Sequence, residues 1–229
     1  INTMQKGVAT VAQLSGFDEI IDARTPAEFA EDHIPGAINL PVLDNDERIV
    51  VGTMYKQQSA FDARRLGGAL VAANISRHML AVLQDKPKNW RPLIYCWRGG
   101  QRSGSFTTWL RMVGWDACQL EGGYKAFRHH VIAEIERIVP TLTLRIVCGP
   151  TGSAKTRVLE ALAAQGAQVL DLEDLAAHKG SVLGALPDRP QPAQKRFETL
   201  LWDRLRRLDP ARPVYVEAES RKIGLVFVP

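Results

Sequence analysis

The 229-residue sequence predicts an α/β protein with parallel sheets in two successive halves. Three observations predict it. Apolar runs of strand length alternate with longer segments of helical period; twice a glycine-containing turn joins such a strand to a helix; and Pro140 breaks the pattern between the halves. Composition agrees, with 45 % hydrophobic and 24 % charged residues. That is enough apolar material for a core and excludes a mostly disordered chain.

The first strand is Glu19-Ile20-Ile21-Asp22, followed by a short helix at Ala27-Glu28-Phe29-Ala30. Ile34-Pro35-Gly36-Ala37 reads as a turn into a second strand ending at Leu40. Residues 62–84 have helical spacing in Leu66, Leu70, Val71, Ile75, Met79, Val82 and Leu83. Pro92-Leu93-Ile94-Tyr95 reads as a buried strand. The helix after it, residues 103–112, sets Phe106, Trp109, Leu110 and Val113 on one stripe, and Gly114 is placed to close it. Residues 126–138 carry a stripe of Phe127, Val131, Ile135 and Ile138 before Pro140. Beyond it come a strand at 144–148, a turn at 149–154 and a helix at 155–164. Buried strands at 167–170 and 214–217 flank a helix at 193–208, which presents Phe197, Leu200, Leu201, Leu205 and Leu208. The domains are therefore 1–139 and 140–229. About 90 residues is short for the second, and its C-terminal part is expected to be missing.

The N-terminus lacks a signal-peptide pattern, and no apolar run approaches the ~18–20 residues that span a bilayer, so no membrane partner is expected. Three cysteines without CxxC spacing indicate neither a disulfide framework nor a metal site, which fits a reduced, cytoplasmic setting. The net charge of +4 is uneven: Lys and Arg exceed Asp and Glu by 16 to 15 up to residue 139, and by 13 to 10 after it. Arg204, Arg206 and Arg207 cluster in that second segment. Such an excess fits an RNA backbone or merely a solvated helix face.

Two segments carry chemistry. Cys96-Trp97-Arg98-Gly99-Gly100-Gln101-Arg102-Ser103 lies between a buried strand and a helix. Loop N–H groups and the helix N-terminus there make a cup that binds an anion and favours a thiolate at its floor. Gly99 and Gly100 let the backbone curl, and Arg98 and Arg102 supply planar donors. Cys118 and Cys148 lack such surroundings and read as small apolar residues. In the second segment, Gly149-Pro150-Thr151-Gly152-Ser153-Ala154-Lys155-Thr156 follows a strand and opens a helix. Its N–H groups suit phosphate oxygens, Lys155 their charge, and Thr156 a Mg²⁺ ion. Ala154 stands where a glycine precedes the lysine in the usual pattern, and fits if its φ is negative. Glu217 ends the strand at 214–217 with Glu219 two residues beyond it, and one of them is expected to face the site.

The first half resembles the rhodanese-like superfamily. Asp22-Ala23-Arg24, Glu28-Phe29 and His33-Ile34-Pro35-Gly36-Ala37-Ile38-Asn39-Leu40-Pro41 match its N-terminal signature, and Leu120-Glu121-Gly122-Gly123 its C-terminal one. Five residues separate Cys96 from Arg102, against four in the commonest rhodanese form. Five is the spacing of cysteine-dependent phosphatases of related fold, and it gives a roomier cup. The fold expected is a rhodanese-like parallel-sheet domain followed by a truncated, P-loop NTPase-like α/β domain.

That fusion, with Val51-Gly52-Thr53-Met54-Tyr55-Lys56-Gln57, Glu121 to Arg128, Asp171-Leu172-Glu173, His178-Lys179-Gly180-Ser181, Gln194 to Glu198 and Glu217 to Gly224, is similar to the family of tRNA 2-selenouridine synthases. The resemblance implies a bacterial tRNA-modifying transferase that replaces the sulfur of wobble 2-thiouridine by selenium from selenophosphate, by way of S-geranylation with geranyl diphosphate. It implies tRNA and a selenophosphate-supplying enzyme as partners. Cys96 would carry or orient selenium, the 149–156 loop would hold diphosphate, His178 would face substrate, and Asp22 and Arg24 would support the site. A rhodanese-type sulfurtransferase or a cysteine-dependent phosphatase would use the first segment alone. A nucleotide-dependent RNA kinase would use only the second.

Overall fold

The computed structural model describes residues 7–150, 153–179, 184, 186–218 and 220–229. The chain forms two units, Ile1–Phe127 and Arg128–Pro229.

In the first unit β1 (Val8–Ala9), β2 (Glu19–Asp22), α1 (Pro26–Glu31), β3 (Ile38–Asn39), α2 (Asn45–Gln57), α3 (Ala60–His78), β4 (Pro92–Tyr95), α4 (Gln101–Val113) and β5 (Cys118–Leu120) follow in order. The long helix α5 (Gly123–Ile138) begins in this unit. Its strands form one parallel sheet in the order β1-β5-β4-β2-β3. The buried strand β4 is therefore the middle one, and its carboxyl end delivers Cys96. Ile21, Ile94, Ile75, Leu83, Phe106 and Leu110 share the core on one face of the sheet.

Each start and stop has a local cause. Thr25 and Glu28 form a reciprocal capping box ahead of Pro26 on α1, and Asp44 and Glu47 do the same for α2. Gly114, at φ 115°, ends α4 in the left-handed conformation expected of it.

Two expectations are corrected. On α4 Phe106 and Leu110 are fully buried, but Trp109 (43 % exposed) and Val113 face outward, because the sheet covers a stripe narrower than the apolar pattern. Finally, α3 continues through a wider turn at Met79–Leu83, and Ala60–Leu83 is a 24-residue helix long and apolar enough to cross a membrane by length and composition. Its scattered polar residues hide this from a search for unbroken apolar runs. It packs Ile75 and Leu83 into the core of the unit, and Gly67 close against Val51 of α2.

The second unit contains β6 (Leu144–Val147), α6 (Lys155–Ala164), β7 (Gln168–Leu170), α7 (Leu172–Leu175), α8 (Gln194–Leu205), β8 (Val214–Glu217), β9 (Lys222–Ile223) and β10 (Val226–Phe227). Its parallel sheet has the order β6-β8-β7, and β9 and β10 form an antiparallel ribbon. Phe127, Val131, Ile135 and Ile138 of α5 are all buried, as their spacing predicts. Strand β6 lies at a sheet edge, and Ile146 there is 62 % exposed. Cys148, expected in the interior, is exposed on the same edge.

Candidate active site

Cys96 is 3 % exposed at the end of β4. The loop it opens is pressed against the Gly122-Gly123 turn. The carbonyls of Cys96 and Trp97 accept from the N–H groups of Tyr124 (2.8 Å) and Lys125 (3.0 Å), so the first turn of α5 fixes the loop. Gly123 has φ 56°, and a methyl group there would fall 2.3 Å from the Cys96 oxygen and 2.6 Å from the Gly99 nitrogen. Gly99, at φ 69°, meets the Leu120 carbonyl in the same way. Only glycine supplies both the left-handed backbone and the close approach. Gly100 is the N-cap of α4 and offers no side chain to its first turn, whose N–H groups stay directed at the loop.

Ser103 is the neighbour of the thiol. Its Oγ lies 3.0 Å from Cys96 Sγ, and the residue is fully buried. Gln119 Nε2 donates to the Gly100 carbonyl (2.9 Å) and to Ser103 Oγ (2.8 Å). Its position against a carbonyl fixes that nitrogen as donor, so the serine oxygen accepts there, and its one proton faces Cys96 Sγ at 3.0 Å and the Gly100 carbonyl at 3.4 Å. Neither residue was singled out from sequence. Ser103 lies on the inward stripe with Phe106 and Leu110, so a polar residue in that register was the legible signal. Replacing Ser103 with Ala removes the hydroxyl beside Sγ, a hydrogen bond worth about 0.5–1.5 kcal/mol. Alkylation of Cys96 by a small reagent should slow by up to roughly 10-fold, and Ser103→Thr should restore it. An unchanged alkylation rate in the alanine variant would remove the serine from the site.

The two expected arginines differ. Arg98 is exposed on the loop. Arg102 Nη1 donates to Glu28 Oε2 at 2.8 Å, so its guanidinium is held toward α1. Burial acts to raise the Glu28 carboxyl, but the hydrogen bond and charge of Arg102 outweigh it and hold the carboxyl below its ordinary value. That contribution is present above the usual carboxylate range and is lost as pH falls through the lowered value.

Asp22 and Arg24 lie beneath the loop. Arg24, 1 % exposed, donates to Asp22 through Nε (3.0 and 3.1 Å) and Nη2 (2.7 Å), and to the Asp32 carbonyl (2.7 Å). Its guanidinium stacks 3.9 Å from the Tyr124 ring centre, while Tyr124 donates to Asp32 Oδ2 (2.8 Å). Burial would lower the pKa of Arg24, but its hydrogen bond and ion pair with Asp22 raise it. Burial, then the Asp22 charge, push the Tyr95 phenol well up, so it stays protonated. Both residues thus support the residues flanking Cys96.

In the second unit Thr151, Gly152 and Glu219 lie outside the described residues. Around them, Lys155 Nζ donates to the Gly149 carbonyl at 3.1 Å, and the Ser153 N–H to that of Pro150. Gly149 faces Ser153 so closely that an added methyl would lie 2.3 Å from its hydroxyl. Thr156 is exposed on the first turn of α6, beside Lys155. Ala154, expected at negative φ, instead adopts φ 62° as the N-cap of α6, because the chain must reverse there to start the helix. This conformation costs a non-glycine residue about 1–2 kcal/mol, and glycine returns roughly 0.4–1 kcal/mol of that as unfolded-chain freedom. Ala154→Gly should therefore stabilise the second unit by about 0.5–1 kcal/mol, read as a higher urea midpoint at constant slope. A lower midpoint would contradict the strain.

Glu217 is buried, paired in register with Val147 before the loop, and its Oε1 accepts from the N–H groups of Leu172 and Glu173 (2.9 Å each). It caps α7. His178 is buried, with its ring edge against Gly224. Among the expected RNA contacts, Arg206 and Arg207 both pair with Asp203 (2.7 and 2.5 Å), and Arg204 donates to the Val169 carbonyl.

Residues 8–130 match the family described as rhodanese-like domain, and residues 142–229 match the tRNA 2-selenouridine synthase AAA domain. The chain is 41 % identical over 214 residues to the tRNA 2-selenouridine synthase of Nitrosomonas europaea, covering 92 % of this chain and 55 % of that protein. It is 41 % identical over 213 residues to that of Alcanivorax borkumensis, covering 92 % and 58 %. A crystal structure of the N-terminal domain of a Clostridium difficile 630 protein is 39 % identical, with a TM-score of 0.49, over 55 % of this chain and 98 % of that one. The chain spans little more than half the length of the curated relatives it matches. The chain belongs to the rhodanese-like family over more than half its length, and it joins that domain to the AAA domain described for tRNA 2-selenouridine synthases.

Proposed function

We propose that the chain serves in a tRNA-modifying transferase that exchanges the sulfur of wobble 2-thiouridine for selenium. The observation that carries this is the Cys96 thiol, held by Ser103 at the floor of an anion-binding loop, in a chain that also has a phosphate loop. The chemistry runs in two stages. In the first, the thiocarbonyl sulfur attacks C1 of geranyl diphosphate and diphosphate leaves, its charge met by Lys155 and by the N–H groups of the 149–156 loop. Alkylation turns a poor leaving group into a good one. In the second, selenium of selenophosphate adds to C2, geranyl thiolate departs, and water cleaves the selenium–phosphorus bond to release phosphate. The Cys96 loop and Arg98 hold and orient the anionic donor there. Thr156 suits a Mg²⁺ ion on the diphosphate, which would screen its charge. A selenophosphate-supplying enzyme and a cytoplasmic setting go with this reading.

The test is nucleoside mass spectrometry of thiolated tRNA incubated with the protein, geranyl diphosphate and selenophosphate. S-geranyl-thiouridine and then selenouridine are expected. Lys155→Ala should cut geranylation by about 10²-fold or more, as for other charge stabilisers. Full geranylation by Lys155→Ala would move that step away from the loop. Thiosulfate turnover without any change in the tRNA would favour a plain sulfurtransferase.

A further inference from the structure

Beside the Cys96 loop, the first unit contains a groove of about 400 Å³ between α2, α3 and the first turn of α4. Val51 and Val71 give it an apolar wall, and Gln101 and Arg102, from the helix that the loop opens, form the other side. No acidic residue lines it, whereas three arginines do. Arg102 is met by Glu28, but among the described residues neither Arg48 nor Arg64 is ion-paired. Arg64 Nε donates only along its own helix, to the Ala60 carbonyl, and the Arg48 guanidinium lies over Gly52, where a side chain would strike it. Tyr55, 57 % exposed, lines the same groove.

Exposed guanidinium groups beside an exposed aromatic ring and an amide match the chemistry of unpaired RNA. Phosphates are met by arginine, a base by the ring face, and its edge by hydrogen bonds. A small anion alone would leave the ring and the apolar wall without use. We infer that this groove receives a single-stranded segment of the RNA substrate, with one base on Tyr55 and adjoining phosphates on Arg48 and Arg64. The next nucleotide is thereby presented to the Cys96 loop. The inference rests on the proposed tRNA substrate and assigns its contact to the first unit, in place of Arg206 and Arg207, which share the Asp203 carboxylate, and Arg204, which donates to the Val169 carbonyl.

Fluorescence anisotropy of the whole chain with a synthetic anticodon stem-loop, titrated across salt, tests it. Arg48→Ala/Arg64→Ala should weaken binding at least 10-fold and make the salt dependence shallower by roughly 1.4 in log–log slope, about 0.7 for each single-strand phosphate contact. Tyr55→Ala should weaken binding by about 5- to 100-fold, and Tyr55→Phe should restore it. All three positions are at the surface, so unchanged melting temperatures are expected and serve as the folding control. If the native chain binds the stem-loop and the variants bind it equally well, the groove assignment is overturned while the tRNA reading stands. A native chain that neither binds nor modifies the RNA overturns both. Loss of modification at unchanged RNA affinity would give the groove to another reactant and also overturn the assignment.

Discussion

Cys96→Ala is expected to abolish selenium incorporation, by on the order of 10²–10³-fold or more, while geranylated tRNA accumulates. The two effects follow from the division of labour. In the proposed reaction Cys96, Ser103 beside it and the loop N–H groups would act on the anionic chalcogen donor, and Lys155 and the second loop on the departing diphosphate. Alanine removes only Sγ. The loop keeps its shape, because that shape comes from the Tyr124 and Lys125 N–H groups on its carbonyls and from the left-handed backbone of Gly99 and Gly123. Quantitative mass spectrometry of both nucleosides reads the result. Selenouridine formed at the native rate by Cys96→Ala would take the thiol out of the reaction, and loss of both products would merge the two stages into one.

Arg24→Met is expected to cost about 3–5 kcal/mol of stability, the usual cost of removing one partner from a buried ion pair. Asp22 is wholly buried and would keep its carboxylate without the guanidinium that meets both of its oxygens. The ring of Tyr124 would lose its stacked cation as well. Against a typical domain stability of 5–15 kcal/mol the loss is large, and chemical denaturation would register it as a much lower midpoint. Asp22→Asn in the same chain should recover part of it by removing the buried charge. A loss below about 1 kcal/mol would mean that water or another donor reaches Asp22, and the buried network would not be what holds the residues around Cys96.

How far the site was legible follows from the range of each interaction. Strands β2, β4 and β8 stand where apolar runs place them, and α6 begins and ends as read, because each is specified by residues within a few positions. The same holds for the cysteine loop and the phosphate loop, whose glycines and cations are contiguous. By contrast β1 and β5, of two and three residues, carry no periodicity; they are strands because they pair with each other and β5 pairs with β4. The partner of Arg102 is Glu28, 74 residues away, and a spacing argument that gave both loop arginines to an anion had no access to it. Gln119 reaches Ser103 across 16 residues for the same reason.

The sequence alone determined which chemistry this chain can carry: a thiol at a strand end, a loop for phosphate, and α/β halves to present them. The tertiary structure alone decided which charges remain available. Arg102, Arg206 and Arg207 are matched by carboxylates, while Arg48 and Arg64 stand in a groove without one. The physical reason is that backbone preference and apolar period act over a few residues, whereas an ion pair depends on distances that exist only once the chain has folded.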